Sequence, residues 1–499
     1  MEKSIRNKKA YGMHHHKLLL VTAKVFIWGA FFLIVQNNVL AQNSIHDLNH
    51  GHSHDHRHNH VHGIEHGHGH EHSHLQVDYS FRSDAGNYTA PEPDEHGYYW
   101  WKGNLHTHTL WSDGDQFPEV VTQWYYKHGY HFLAISDHNI LMRGERWIRP
   151  GSSRHAARGG GTDVYDLYLE RFGSDWVEKR YTDSELEVRL KPLQETRALF
   201  EKAGRFIMIE SEEITGRQVH VNATNILELI EPREGETIEE SIRLNIDAVI
   251  EQREKTGQRM IPHLNHPNWR NNITAEDMAP VENMQLFEIY NGHRGVINFG
   301  DGEGTKDLDR VWDIVLTKRL GELGLGMLYG VATDDAHNYE ESSSETSMPG
   351  RGWVMVRSKF LTPESIVRAL ENGDFYSSTG VEVRKLKIDG NRYEIELKPE
   401  DGVDYVIQFI GTRTGYDSSS EPFVDGDGNV RNDRTRRYSN DIGEVLMEVN
   451  GNRAVYEFEG DEIYVRAKVI SSKPKENYFA EGEREKAWFQ PVQPMRNLD

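Results

Sequence analysis

The chain has 499 residues, a formal net charge of -22 and no cysteine. Its length exceeds one ordinary domain, and its acidic balance argues against broad capture of a nucleic-acid backbone, which depends on clustered Lys and Arg. Without Cys there are no disulfides, thiolate ligands or Cys nucleophiles, so strong metal ligation must come from His and carboxylates.

Lys3, Arg6, Lys8, Lys9 and Lys17 precede an apolar run of 11 residues, Val25 to Val35, which is followed by Val39-Leu40-Ala41. The run is shorter than the ~20 residues that span a bilayer. Residues 1–41 therefore read as a signal peptide cleaved after Ala41. An extracytoplasmic location, periplasmic or secreted, is expected, with no stable membrane insertion after cleavage. From His46 to His74 nearly every second residue is His, interleaved with Gly, Asn, Ser, Asp and Glu. No apolar face exists there on which to build a fold, so residues 42–80 are expected to be a disordered linker that chelates metal weakly.

Residues 81–380 read as α/β. Pro118 to His128 has Pro in the first turn, Val121, Trp124 and Tyr125 at helical spacing, and Gly129 as a stop. Phe132-Leu133-Ala134-Ile135 follows as a buried strand. Thr237 with Glu240 forms a capping box for a helix carrying Ile238, Ile242, Ile246, Val249 and Ile250 on one face, ended by Gly257. Strands at Met260-Ile261, Gln285–Tyr290 and Met327–Ala332 alternate with helices near Asp309–Leu320 and after Thr362-Pro363. This alternation predicts a mainly parallel sheet whose strand count suits a closed or distorted barrel. Beyond Val381 the pattern changes to short alternating runs such as Tyr393–Leu397 and Tyr464–Val469, punctuated by Asp389-Gly390, Asp427-Gly428 and Asn450-Gly451. Residues 381–499 are therefore expected to form an antiparallel β-sandwich, with Asp417–Asn440 a long polar loop.

The chemistry-bearing residues fall at the ends of the expected strands. His106, His108 and Asp113 follow the first, Asp137 and His138 the second, Glu213 and His220 the third, His263 and His266 the fourth, and Asp335 and His337 the last. In a βα-barrel the C-terminal strand ends form one face, so five strands deliver imidazole or carboxylate to one place. In His106-x-His108 both side chains point to one side of a strand and can bind one ion. Mixed imidazole and carboxylate ligands suit Zn, Mn or Fe.

His106-Thr107-His108-Thr109-Leu110-Trp111-Ser112-Asp113-Gly114, Ser136-Asp137-His138, Glu213-Ile214-Thr215 with His220, His266-Pro267 and Asp335-Ala336-His337 resemble, in that order, the motifs of the PHP (polymerase and histidinol phosphatase) family. The resemblance covers roughly residues 96 to 380. It implies a distorted (β/α)7 barrel holding two or three divalent metal ions that hydrolyse phosphate esters. Carried over residue by residue, it implies that His106, His108, Glu213 and Asp335 hold one ion. Glu213 would bridge to a second, held with His220 and His266, and Asp113, His138 and His337 would hold the third. Glu210 and Glu212 compete with Glu213 for the bridge; the Ile-Thr that follows favours Glu213. His263 competes with His266, which the adjacent Pro267 favours.

Beside the metal ligands, Asp137 is expected to orient a ligand from behind, and Arg270 and Arg294 to meet substrate. Arg143, Arg146, Arg149, Arg154 and Arg158 form a basic run suited to phosphate, or else to a solvated insertion loop, as Gly159-Gly160-Gly161 suggests. Asn291 either lines the pocket or simply forms a turn before Gly292. The expected function is an exported multinuclear-metal phosphoesterase acting on a small phosphomonoester or nucleotide. The alternatives are an exonuclease-like or phosphodiesterase activity at the same site, an amidohydrolase-like enzyme, and an exported metal-binding protein without catalysis.

Overall fold

The aromatic run near Tyr98 opens β1 (Tyr99–Asn104), followed by α1 (Pro118–Lys127) and β2 (Phe132–Ile135) in a computed structural model that describes residues 88–150, 164–269, 273–302, 304–340, 343–478 and 480–494. The expected signal peptide and His-rich tract lie outside the described residues, as do Arg154, Arg158 and Arg270. An insertion then supplies β3 (Arg146–Ile148), α2 (Val164–Phe172), β4 (Lys179–Thr182), β5 (Glu185–Leu190) and α3 (Leu193–Phe200). The chain continues through β6 (Ile207–Thr215), β7 (His220–Thr224), α4 (Ile238–Thr256), β8 (Ile261–Leu264), α5 (Ala275–Met278) and β9 (Leu286–Asn291). Next come α6 (Leu308–Thr317), which widens into a π-helical turn at Lys318–Leu323, and then β10 (Tyr329–Thr333), β11 (Trp353–Ser358), α7 (Pro363–Glu371) and β12 (Phe375–Ser378). Strands alone follow: β13 (Val383–Asp389), β14 (Arg392–Leu397), β15 (Tyr405–Arg413), β16 (Ser420–Glu421), β17 (Arg437–Tyr438), β18 (Glu444–Asn450), β19 (Arg453–Glu457), β20 (Glu462–Pro474) and β21 (Arg484–Val492).

Local signals set the helix ends. Pro118 begins α1 with the fixed φ a first turn needs. In α4 the Thr237 side chain accepts the Glu240 N–H, and Gly257, at φ 73°, closes the helix in the left-handed conformation that costs glycine least. Ile242, Ile246 and Val249 form its buried stripe.

The result is a mixed α/β fold around a 13-stranded sheet ordered β10-β9-β8-β7-β6-β2-β1-β11-β12-β21-β20-β15-β18. The pairs β1/β2, β2/β6, β8/β9 and β9/β10 are parallel. The expectation of a mainly parallel sheet is corrected at two places: β7 pairs antiparallel with both β6 and β8, and β11 pairs antiparallel with both β1 and β12. Only residues 216–219 separate β6 from β7, and so short a link permits a hairpin but no crossover. A parallel bridge joins Thr107, beyond β1, to Ala336, beyond β10, and so ties together the two ends of the seven-strand run from β10 to β1.

Beyond β12 every pairing is antiparallel. β21, β20, β15 and β18 extend the large sheet, while β13, β14 and β19 form a smaller one. The Asp417–Asn440 stretch is not all loop, since β16 and β17 pair within it. Ile442, Ile463, Tyr464 and Trp488 share one core with Val311, Trp312 and Val315 of α6. A charge pair is sealed beside that core. Arg466, 1% exposed, donates from two nitrogens to Asp313 at 2.7 Å each, and Lys468 Nζ reaches Asp309 at 2.5 Å. Removing one partner of such a pair leaves a buried charge uncompensated. Arg466→Met is therefore expected to lower unfolding stability by about 3–5 kcal/mol, read from urea unfolding; a loss below about 1 kcal/mol would mean that the pair is not desolvated.

Candidate metal centre

β1 ends at Asn104, whose side-chain oxygen accepts the His106 N–H at 2.9 Å and sets the path of the His-x-His segment. Pairing continues past the strand: His108 N donates to Ala336 O at 3.0 Å, and Asp335 N to His106 O at 2.9 Å. The segments bearing His106, His108, Asp335 and His337 are thus zipped side by side. His138 bridges in parallel to Glu213. Because β7 runs antiparallel, its first residue, His220, pairs with Thr215 and lies at the same end of the sheet as the last residues of β6.

The structure brings all nine expected ligands together. Ligand atoms of His108, Asp113, His138 and His337 lie within 4.8 Å of one another, and so do those of His106, His108 and Glu213, and those of Glu213, His220 and His266. Asp335 Oδ1 joins them, 3.1 Å from His108 Nε2 and 3.3 Å from His106 Nε2. Glu213 sits between the groups. Its Oε1 is 2.9 Å from His220 and 3.3 Å from His266, while its Oε2 is 3.5 Å from both His106 and His108 and 2.7 Å from His138. The competing carboxylates turn elsewhere: Glu210 clasps Arg143, and Glu212 accepts the Ile230 N–H at 2.7 Å, with burial pushing its carboxyl up to about 8.

Two observations make this arrangement fit cations. Glu213 Oε2 is buried and makes no hydrogen bond, although imidazole nitrogens surround it. His106 Nε2 and His108 Nε2 face each other at 3.1 Å, close to the ~3.3 Å expected between two nitrogens that bind one tetrahedral ion at 2.0–2.1 Å. Burial, reinforced by the imidazoles of His337 and His138, pulls His108 down to about 4, leaving the neutral ring that ligation requires. Burial disfavours charge on Glu213, but His138, His106 and His220 outweigh it and hold the carboxyl well below its ordinary range. Asp335 and His266 adopt positive φ, 47° and 23°. Strained backbone of this kind persists where the surroundings over-determine it.

One important residue escaped the sequence reading. Glu288, in the middle of buried β9, is completely buried and accepts from His106 Nδ1 at 2.7 Å, His266 N at 2.6 Å, Thr333 Oγ at 2.7 Å and Asn291 Nδ2 at 2.8 Å. It fixes the His106 proton on Nδ1 and frees Nε2 for the cluster. The signal was a charged residue between Phe287 and Ile289 in a fully buried strand. His263 faces Glu288 and His106 rather than the Glu213–His220–His266 group. Asn291 does more than turn the chain: it donates to Glu288 and, at 3.1 Å, to Asp335 Oδ2.

The remaining candidates belong to none of the ligand groups. Asp137 accepts Thr109 N, Thr109 Oγ and Ser112 Oγ at 2.8, 2.7 and 2.6 Å, so it pins the loop between His108 and Asp113 rather than a ligand imidazole. Arg143 pairs with Glu210, Arg149 with Glu185, and Arg146 donates to Trp111 O at 2.6 Å. Arg294, 52% exposed at its side chain, bonds Glu345 O.

No family model matches the chain, and no curated protein does. Among solved structures it is similar to a two-domain protein from Bacteroides vulgatus described as containing a predicted PHP-like metal-dependent phosphoesterase, with 15% identity over 81% of this chain and 98% of that one and a TM-score of 0.34.

Glu288→Gln keeps the size of the side chain but removes the charge that fixes His106. Such changes behind a ligand cost about 10–100-fold in metal affinity, and a loss of that order is expected in a Zn titration against a competing chelator. Unchanged affinity would deny Glu288 its orienting role.

Proposed function

We propose that the chain is an exported metal-dependent phosphoesterase of the PHP type, hydrolysing a small phosphomonoester or nucleotide. One observation carries the reading: Glu213 stands among adjoining groups of imidazoles and carboxylates, each the size of a cation site, and is itself shared by two of them. Within the same reading, the Thr107–Ala336 bridge supports closure of the seven strands from β10 to β1 as a distorted barrel, and residues 381–499 act as a β-sandwich. The N-terminal charge and apolar pattern support export, to the periplasm or beyond.

Two or three divalent ions, with Zn, Mn or Fe fitting the ligands, would supply Lewis-acid polarisation of phosphoryl oxygens and water acidified toward neutral pH. His106, His108, Glu213 and Asp335 would hold one, with Glu213 shared by a second at His220 and His266, and Asp113, His138 and His337 would hold a third. The chain's own part is positioning. Glu288 holds His106 in one tautomer, Asp137 keeps Asp113 on its loop, and Asn291 steadies Asp335. The net charge of -22 favours a small substrate over a long polyanion.

The test is to purify protein lacking residues 42–80, count bound metal, and assay a phosphomonoester, a phosphodiester and an oligonucleotide. About two or three ions per chain, and phosphate release that chelation abolishes and Mn or Zn restores, are expected. Protein that stays inactive after both metals are added would sink the reading. His108→Ala should lower turnover at least ~100-fold with an unchanged circular dichroism spectrum; full turnover would remove His108 from the site.

A further inference from the structure

Beyond the ligands, His293 is an imidazole near the cluster with no role in the reading above. His293 lies two residues after β9, on the turn Gly292-His293-Arg294-Gly295. Its ring centre is 5.3 Å from that of His337 and 6.4 Å from that of Trp269. It joins none of the groups whose ligand atoms cluster within 4.8 Å, so it stands beside the centre rather than in it.

The turn holds this ring in one chemical form. Gly295 N donates to His293 Nδ1 at 3.0 Å. A ring nitrogen that accepts carries no proton, so the proton sits on Nε2. Nε2 makes no hydrogen bond to any described residue. The grip is close: a Cβ on Gly295 would stand 3.1 Å from Nδ1 and from Cε1. The turn is also registered to the cluster, because Asn291 Oδ1 accepts the His293 N–H at 2.8 Å while Asn291 Nδ2 donates to Asp335. Asn298 clamps both backbone polar groups of Asn291, at 3.0 and 2.8 Å.

His293 places an oriented N–H donor at this end of the site. The walls are rich in carboxylates, and Arg143, Arg146, Arg149 and Arg294 engage Glu210, Trp111 O, Glu185 and Glu345. We propose that His293 is a substrate-binding residue whose Nε2–H donates to a phosphoryl oxygen of the ester at the His337 side of the cluster. The proposal rests on the phosphoesterase reading and adds to it a neutral donor outside the ligand set. The bond forms equally with ester and with product phosphate, so it contributes to binding more than to turnover.

The experiment uses the full chain loaded with Mn and compares the parent, His293→Ala and His293→Gln. Gln keeps an N–H donor at the end of a side chain of similar reach. Bound metal per chain, inhibition by inorganic phosphate, kcat and KM are measured. Ala is expected to raise the phosphate inhibition constant and KM together by about 10-fold, as loss of a hydrogen bond to a charged group does. Metal content should match the parent, kcat should stay within about 2-fold, and Gln should recover most of the loss. Parental phosphate binding in the Ala variant of an active enzyme would overturn this inference alone. Loss of metal from Ala would overturn it in favour of a ligand role, and a Gln variant as weak as Ala would overturn it in favour of packing. A parent that neither hydrolyses an ester nor binds phosphate would overturn the phosphoesterase reading, and this inference with it.

Discussion

A carboxylate buried among imidazoles is the constraint around which the molecule is built. Glu213 is fully buried, and stripping it of water would be costly without compensating charge. Its neighbours are His106, His108, His138, His220 and His266, joined by a second buried carboxylate, Asp335. Such a set is stable when cations or shared protons balance it, and the convergence of the unbonded Glu213 oxygen and the facing His106 and His108 nitrogens fits cations.

Holding these groups together needs a rigid frame, and the frame is polar as well as apolar. Behind Asp335, the carboxylate of Asp334 accepts the N–H groups of Gly350, Arg351 and Gly352 at 2.9, 2.7 and 2.9 Å, together with the Tyr125 hydroxyl at 2.9 Å. That single side chain fastens the segment bearing Asp335 and His337 to the chain entering β11. Arg351 itself is completely buried and donates to the carbonyls of Gly292 and Thr346, at 2.8 Å each. The turn carrying His293 is therefore tied to the same support.

The strands beyond residue 380 take part in this support. Lys475, the residue after β20, donates to the Tyr290 hydroxyl at 2.5 Å, and Tyr290 donates to Glu483 at 2.8 Å. Gln490 of β21 bonds both backbone groups of Gly330 in β10, at 3.0 Å each. Burial lowers the Lys475 ammonium to about 8 despite Glu483 beside it, a sign of how dry the junction is. Tyr290 precedes Asn291, so the C-terminal strands brace the element that presents Asn291 and Glu288.

Much of this was legible in the sequence because it rests on local rules. The period of apolar residues and the capping of α4 by Thr237 and Gly257 depend on near neighbours alone. The ligand types followed from motif order and from the absence of Cys. Tertiary structure alone decided what depends on partners distant in the chain. It turned Glu213 inward while Glu210 met Arg143 and Glu212 met Ile230, and it reversed β7 so that His220 returned to the same end. It also set Glu288 behind His106, a pairing across 182 residues that no spacing rule encodes. Side-chain type and periodicity are written along one dimension; which charge faces which is settled only when the sheet brings its strands together.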